Sequence, residues 1–414
     1  MRKNSVRHWF AVLGLTMFLA ACGGGQGGSA TAQAGAGATG TLNVALTDAP
    51  ASYAAVNVTV QKVRVRRDAT AGSADAGWHE VVLDPARRID LLGLANGQTL
   101  DLGSIELPQG RYTQIRLVLA ANGGGSAAMA NTVELADGLG TEHALHTPSG
   151  QQSGLKVKGE FEVIAGQPTG IVLDFDAQRS VVRAGNSGRY NLKPVITALQ
   201  VAAQSRLEIA GELGIADARV SAQIVDGSGQ VQVLKATVSD ANGSYKLAPL
   251  PASANGLYTV VIDAPGYRTH VIREVPVLQG TPTQMPAVSL TAAAAPDRHE
   301  LSGVVTVPPG YEDSLVEVLV ERIVDGIPVR IAQGNAAQQT FDHAVSVARE
   351  VPIVATYDGG PMIFAEPLDV AAAQPYQVHA RDGEAALTGN PVTVAQPANA
   401  GEALTGVDLQ LSIP

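Results

Sequence analysis

From Thr41 onward, hydrophobic and polar positions alternate with a period of two, in short runs broken by Gly, Pro, Asn and Asp. That is the pattern of half-buried β-strands. Leu42, Val44 and Leu46 share one face, and Asp48-Ala49-Pro50 is expected to turn the chain. Val56, Val58 and Val60 form the next inward row. The row then slips to Val63 and Val65, which predicts a β-bulge between them. Ile115, Leu117 and Leu119 follow a turn at Pro108-Gln109-Gly110, and Val157, Phe161, Val163 and the run Ile171 to Phe175 continue the series. Helical spacing is scarce. Phe341, Ala344, Val345 and Ala348 fit a helix over 336–350, but Val345 and Val347 fit a strand equally. Many short strands with Gly/Pro punctuation predict an all-β fold of tandem antiparallel β-sandwiches with Greek-key connections.

The first residues follow a different rule. Arg2, Lys3 and Arg7 precede an apolar run from Trp9 to Ala20, too short to span a bilayer and suited to a secretory signal. It ends Leu19-Ala20-Ala21-Cys22, which resembles the lipobox of bacterial lipoproteins. The resemblance implies a signal peptide over 1–21, cleavage before Cys22, and a diacylglyceryl, acylated Cys22 as the mature N-terminus. Two or more acyl chains anchor a protein firmly where one holds it only marginally. Residues 22–40 add a Gly/Ala-rich tether with no core-forming side chain, about 24 Å between its ends as a flexible coil. Gly23 after the cysteine implies, by the same resemblance, sorting to the outer membrane of the cell envelope.

Within 41–202 stand Thr47-Asp48-Ala49-Pro50, Trp78, Ile89-Asp90-Leu91-Leu92, Asn96-Gly97 and Gly110-Arg111-Tyr112-Thr113-Gln114-Ile115-Arg116. Gly154-Leu155-Lys156, Leu173-Asp174-Phe175-Asp176-Ala177 and Tyr190-Asn191-Leu192-Lys193-Pro194 follow in order. The series resembles the bacterial lipoprotein family called domain of unknown function 4382, which implies a β-rich exported domain and no assigned activity. Residues 205–292, with Ile209-Ala210-Gly211-Glu212, Asp240-Ala241-Asn242-Gly243-Ser244-Tyr245 and Pro265-Gly266-Tyr267, resemble the carboxypeptidase regulatory-like domain. That resemblance implies a transthyretin-like, carbohydrate-binding-like sandwich, and Asn242-Gly243 fits a tight hairpin. Leu207 to Gly211 recurs as His299 to Gly303, and Ala287 to Leu290 as Val407 to Leu411, so a third sandwich is expected over 297–414 after an Ala-rich linker.

Composition narrows the chemistry. One cysteine excludes disulfide scaffolds and cysteine-ligated metals, and a net charge of −10 argues against a nucleic-acid partner. Asp174 and Asp176 share a strand face and invite a metal or acid–base role, although neighbouring Arg179 and Arg183 fit a charge pair better. His143 and His146, beside Glu142, read as polar residues of a turn-rich loop rather than as ligands. Lys62, Arg64, Arg66 and Arg67 read as a solvated strand face that discourages edge pairing. Trp78, Tyr245 and Tyr267 are the aromatic candidates for stacking a sugar, although the family resemblance implies core or strand positions for Tyr245 and Tyr258 and packing is the stronger reading of the tyrosines. No nucleophile elbow, phosphate loop or dinucleotide fingerprint is present, and no cofactor is implied.

The expected function is therefore a non-enzymatic, lipid-anchored envelope protein that presents β-sandwiches, with polysaccharide or another envelope protein as its partner. Two rival readings are a metal-assisted hydrolase using Asp174, Asp176 and His143, and a purely structural lipoprotein.

Overall fold

Inward rows of Val, Leu and Ile dictate nearly every element. In the computed structural model, residues 38–412 are described except 50, 52, 71, 124–128, 149, 185–186, 202–206, 252, 254, 279–280, 295–297, 312–315, 337–339, 383–386, 388 and 396–403, with 340–344 described by backbone alone. Cys22, the lipobox and the tether through residue 37 lie outside the described residues.

The first module runs β1 (Thr39–Ala49), β2 (Tyr53–Arg66), β3 (His79–Asp90), β4 (Leu100–Pro108), β5 (Gly110–Tyr112), β6 (Gln114–Leu119) and β7 (Thr132–Leu135). It continues with β8 (Glu142–His146), β9 (Leu155–Val157), β10 (Phe161–Val163), β11 (Pro168–Asp176), the single turn α1 (Ala177–Ser180), β12 (Val181–Arg183), β13 (Tyr190–Leu192) and β14 (Ile196–Val201). A four-stranded sheet, β14-β11-β1-β4, packs with a larger one in the order β12-β13-β8-β7-β2-β6-β9, in which β3 also pairs with β2. Leu42, Val44, Leu46, Val58, Val60, Leu117 and Phe175 are fully buried in one core, each such side chain contributing about 1.5–3 kcal/mol. The bulge falls where the phase slips: β2 loses register between Val60 and Lys62 against both β3 and β6.

The second module comprises β15 (Ile209–Glu212), β16 (Arg219–Val225), β17 (Val231–Val238), β18 (Ser244–Leu247), β19 (Leu257–Asp263), β20 (His270–Pro276) and β21 (Thr283–Gln284). The remainder is β22 (Arg298–Thr306), β23 (Val316–Val324), β24 (Ile327–Ala336), β25 (Thr340–Ala348), β26 (Ile353–Thr356), the turn α2 (Val370–Ala373), β27 (Tyr376–Asp382), β28 (Val392–Val394) and β29 (Leu404–Gln410). The two halves share a topology. Sheet β18-β15-β21 matches β25-β22-β29, and β17-β16-β19-β20 matches β24-β23-β27-β28. Within the ambiguous stretch 336–350, Thr340–Ala348 is a strand and not a helix.

Three expectations are corrected. The sheets are mixed rather than purely antiparallel: β1 with β11, β8 with β13, β15 with β21, β20 with β26 and β22 with β29 all run parallel. Period-two patterning reports which face is buried, not which strand lies alongside. Asp48 and Ala49 still belong to β1, which stays paired with β11 through Ala49, so the chain leaves the strand only after them, and Pro50 lies outside the described residues. Asn242-Gly243 forms a tight turn, with Asp240 Oδ1 accepting from the amides of Asn242 and Ser244 at 2.8 and 3.0 Å. It joins β17 and β18 of different sheets, so it is an arch rather than a hairpin.

Residues 353–364 cross between modules. After the linker, β26 pairs with the edge strand β20, from His270↔Ile353 to Arg273↔Thr356. Tyr357, Met362 and Phe364 pack against the second module's core. Val261, Val271, Val324, Val329 and Val354 form a small core between the last two modules. Residues Ala38–Pro414 form one compact unit.

Candidate functional site

The polar residues that the alternation leaves on inward positions gather where the modules meet. Lys235 is one of them. It shares the β17 face of Thr237, opposite Ala222 of β16, and its side chain is fully buried. Nζ donates to Asp174 Oδ1 at 2.8 Å and to the Asp48 carbonyl at 3.4 Å, so a second-module cation is held by two first-module strands. Asp48 is itself fully buried. Its Oδ1 accepts from the amide of Ala177 at 3.0 Å, and Oδ2 has no partner. Burial first, then the charge of Asp176, raise the Asp48 carboxyl well above the usual carboxylate range. Asp174 is raised for the same leading reason, opposed by Lys235.

Asp176 caps α1 by accepting from the amide of Arg179 at 2.9 Å, and also takes the Arg179 guanidinium at 3.5 Å. Arg179 reaches on to Glu317 of β23, whose other oxygen accepts from Arg381 at 2.8 Å. Asn335 donates to the Arg179 carbonyl at 2.7 Å. One α-helical turn thus ties the first module to the third. On another side of the first module, Asn96 at φ 57° accepts from the amide of Lys246, and a Cβ on Gly97 would stand 2.7 Å from the Lys246 side chain.

The joint between the second and third modules is similarly built. Gln223 and Arg330 exchange backbone-like hydrogen bonds at 2.8 and 3.0 Å. Arg330 also pairs with Glu321 at 2.7 Å, and burial lowers the Arg330 guanidinium to about 10. Burial pushes Glu321 up, but hydrogen bonding from His379 and the charge of Arg330 outweigh it and hold it below its usual range. Arg298 grips Asp263 at 2.8 Å. The cleft beside these groups, lined by Gln223, Asp263 and Arg330 among others, measures about 60 Å³. That is room for a few waters, well under the ~300 Å³ of a small-molecule site.

Several candidates are therefore reassigned. Asp174 and Asp176 are brought together, but as joint carboxylates spent on Lys235 and Arg179. His143 and His146 lie on β8, not in a loop, and an odd spacing puts them on opposite strand faces. His143 tilts against Tyr190 with ring centroids 5.4 Å apart, while Glu142 pairs with Arg88. No cluster of three or more His, Cys, Asp or Glu with metal-binding geometry occurs among the described residues. Tyr245 is buried against Gly211 with its hydroxyl unpartnered, and burial raises that hydroxyl above its usual range. Tyr258 is also core, with its hydroxyl donating to the Pro251 carbonyl. Tyr267 is half-buried against the same core. These tyrosines fill the sandwich rather than face a ligand.

The basic cluster is not a solvated edge, because β2 lies inside its sheet. Glu80 pairs with both Lys62 and Arg64 at 2.9 Å. The indole of Trp78 packs over Arg64 at 4.8 Å and Arg116 at 5.3 Å, with Arg66 at 6.0 Å, and Nε1 donates to the Gly72 carbonyl at 3.1 Å.

Sequence reasoning missed Asp48, Lys235, Glu317 and Arg330. The available signal was charge at inward positions of strongly alternating strands, as in Val316-Glu317-Val318.

Comparison with solved structures finds a streptococcal ancillary pilin at 9% identity, covering 91% of this chain and all of that one, with a TM-score of 0.16. The major pilin subunit of Bacillus cereus aligns at 10% identity over 90% of this chain and 98% of its own, with a TM-score of 0.12. Comparison with curated proteins finds no match. Family models match at residues 39–194, as a domain of unknown function 4382, and at 210–291, as a carboxypeptidase regulatory-like domain. The charged joint thus lies between the stretch that matches the domain of unknown function 4382 and the stretch that matches the carboxypeptidase regulatory-like domain, in that order along the chain.

Proposed function

We propose that this protein is a non-enzymatic scaffold of the cell envelope, anchored by lipid at Cys22 and holding three β-modules as one stiff body. The observation that carries the reading is the buried joint in which Lys235 and Arg179 draw the later modules onto Asp174 and Asp176. The carboxylates a metal-assisted hydrolase would have used are engaged in holding modules together. A buried ion pair stabilises little beyond an apolar contact, but it specifies one geometry, because misalignment strands a charge. Fixed geometry serves a protein that presents several modules to a partner as one surface, with the Gly/Ala-rich tether leaving that body free to reorient. Lipidation at Cys22 rests on Leu19-Ala20-Ala21-Cys22, and outer-membrane placement on Gly23. The tyrosines that favoured glycan binding in the second module are packed in its core, which weakens that reading there.

Two measurements test the proposal. Radiolabelled palmitate should enter the wild-type protein and not Cys22→Ser, which should leave the membrane fraction or keep its signal uncleaved. Limited proteolysis should spare the module joints. Membrane retention of an unlabelled mature protein would defeat the anchor, and rapid cleavage between modules would defeat the stiff scaffold.

A further inference from the structure

The outward face of the larger sheet of the first module carries a row of cations that its own sequence leaves uncompensated. Arg64 on β2 stands directly opposite Arg116 on β6, and Arg116 opposite Lys156 on β9. Like charges in directly opposed positions destabilise a sheet. Lys62 and Arg66 extend the same face along β2, where successive outward positions follow the bulge.

The acids nearby do not balance them. Glu80 is shared between Lys62 and Arg64, and Asp68 reaches Arg66 only at 4.0 Å. Arg116 contacts Gln114 and the Ser153 carbonyl at 3.0–3.4 Å, and neither it nor Lys156 pairs with a carboxylate among the described residues. The Nη1 of Arg66 is buried without a hydrogen-bond partner. The Arg116 guanidinium is held below its usual range by burial and then by the Arg64 charge. In a chain of net charge −10, this concentration of positive charge is set against the rest of the protein. The indole of Trp78 lies over it, offering the electron-rich face of a ring where a full negative charge would bind more strongly.

We propose that this face binds an anionic polysaccharide bearing carboxylates on successive sugar rings, which exchange with the Trp78 ring over Arg64 and Arg116. Three features select that occupant. The cations form a row across the outward face of one sheet, with Lys156 exposed and Arg116 buried beneath the Trp78 ring that the ligand displaces, and such a row suits an extended chain. They repeat across strands at the ~4.8 Å strand separation, a distance on the scale of one sugar residue. Arginine forks match carboxylates in a bidentate geometry. A single aromatic ring provides no platform for a run of stacked bases, as single-stranded nucleic acid would need. The proposal is independent of the scaffold reading, since it concerns only the first module's outer face.

Trp78 reports on its own site. The chain has two tryptophans, Trp9 and Trp78, so the mature protein, or a Trp9→Phe protein that keeps its leader, has one tryptophan to excite selectively over its tyrosines. Titration with oligogalacturonate should change its emission saturably, and added salt should weaken the binding. Lys156→Gln, an exposed change, and Arg116→Gln should each weaken binding about tenfold or more, while Arg116→Lys retains part of it. No response to oligogalacturonate, an equal response to neutral galactan, or unaltered binding in both Gln variants would overturn the proposal. A response confined to phosphatidylglycerol vesicles would overturn it in favour of a lipid surface. Binding that persists when Cys22→Ser has abolished anchoring would support it.

Discussion

Lys235 Nζ meets Asp174 Oδ1 at 2.8 Å, with the lysine side chain fully buried and the aspartate nearly so. Removing one partner strands the other's charge away from water, which typically costs about 3–5 kcal/mol. Lys235→Met should lose that amount in urea denaturation and separate the first module's transition from the others. Lys235→Met combined with Asp174→Leu should recover most of the loss. A loss below ~1 kcal/mol, the range of exposed pairs, would show that the pair does not couple the modules.

Asp48 gives the joint an unusual pH dependence. Its folded-state carboxyl sits well above the ordinary value, chiefly through burial, so the folded protein binds its proton more tightly than the unfolded chain. The stability this contributes is complete below the unfolded value of ~3.9 and is lost as pH rises through the raised folded value. Asp48→Asn should therefore be more stable than wild type at neutral pH, with the difference closing as the solution is acidified. Melting temperatures across that range will show it, and a gap that widens toward acid would contradict the assignment.

His270 acts in the opposite sense. It is fully buried, its Nδ1 donates to the Arg268 carbonyl at 2.8 Å, and its Nε2 accepts from the amide of Thr291 at 3.0 Å. Burial lowers it from 6.5 to about 4, so its contribution is present above 6.5 and lost as pH falls through about 4. Its ring also packs edge-on to Phe364 at 4.6 Å. His270→Gln should remove this slice of acid sensitivity from the denaturation midpoint. An unchanged acid limb would show that protonation there is not coupled to folding.

The strand β26 predicts the behaviour of fragments. Residues 205–292 alone would expose the edge of β20 and the apolar surface that Tyr357, Met362 and Phe364 cover. Unpaired edges of this kind template aggregation. That fragment should be insoluble or oligomeric on size exclusion, whereas 205–414 should elute as a monomer. A monomeric, cooperatively melting 205–292 fragment would show the crossing strand to be dispensable.

Much of the fold was legible because alternation records burial directly. The bulge after Val60 and the paired topologies of the second and third modules follow from phase and repetition. The parallel pairings were not, since the inward row of β1 is the same whether β11 or another strand lies alongside. Asp174 and Asp176 were singled out correctly as sharing a face. Their partner Lys235 lies 61 residues from Asp174 in the chain, and no local pattern links them. Trp78 is legible as an aromatic candidate, but its arginine neighbours are not, because they come from two separate strands, β2 and β6.

The return of β26 to the second module has a mechanical consequence. Because it lies parallel to β20, its evenly spaced hydrogen bonds resist together when the last two modules are drawn apart along the strand direction. Tension on the C-terminal half is then shared between two folded bodies, and they yield as a single element instead of lengthening one after the other.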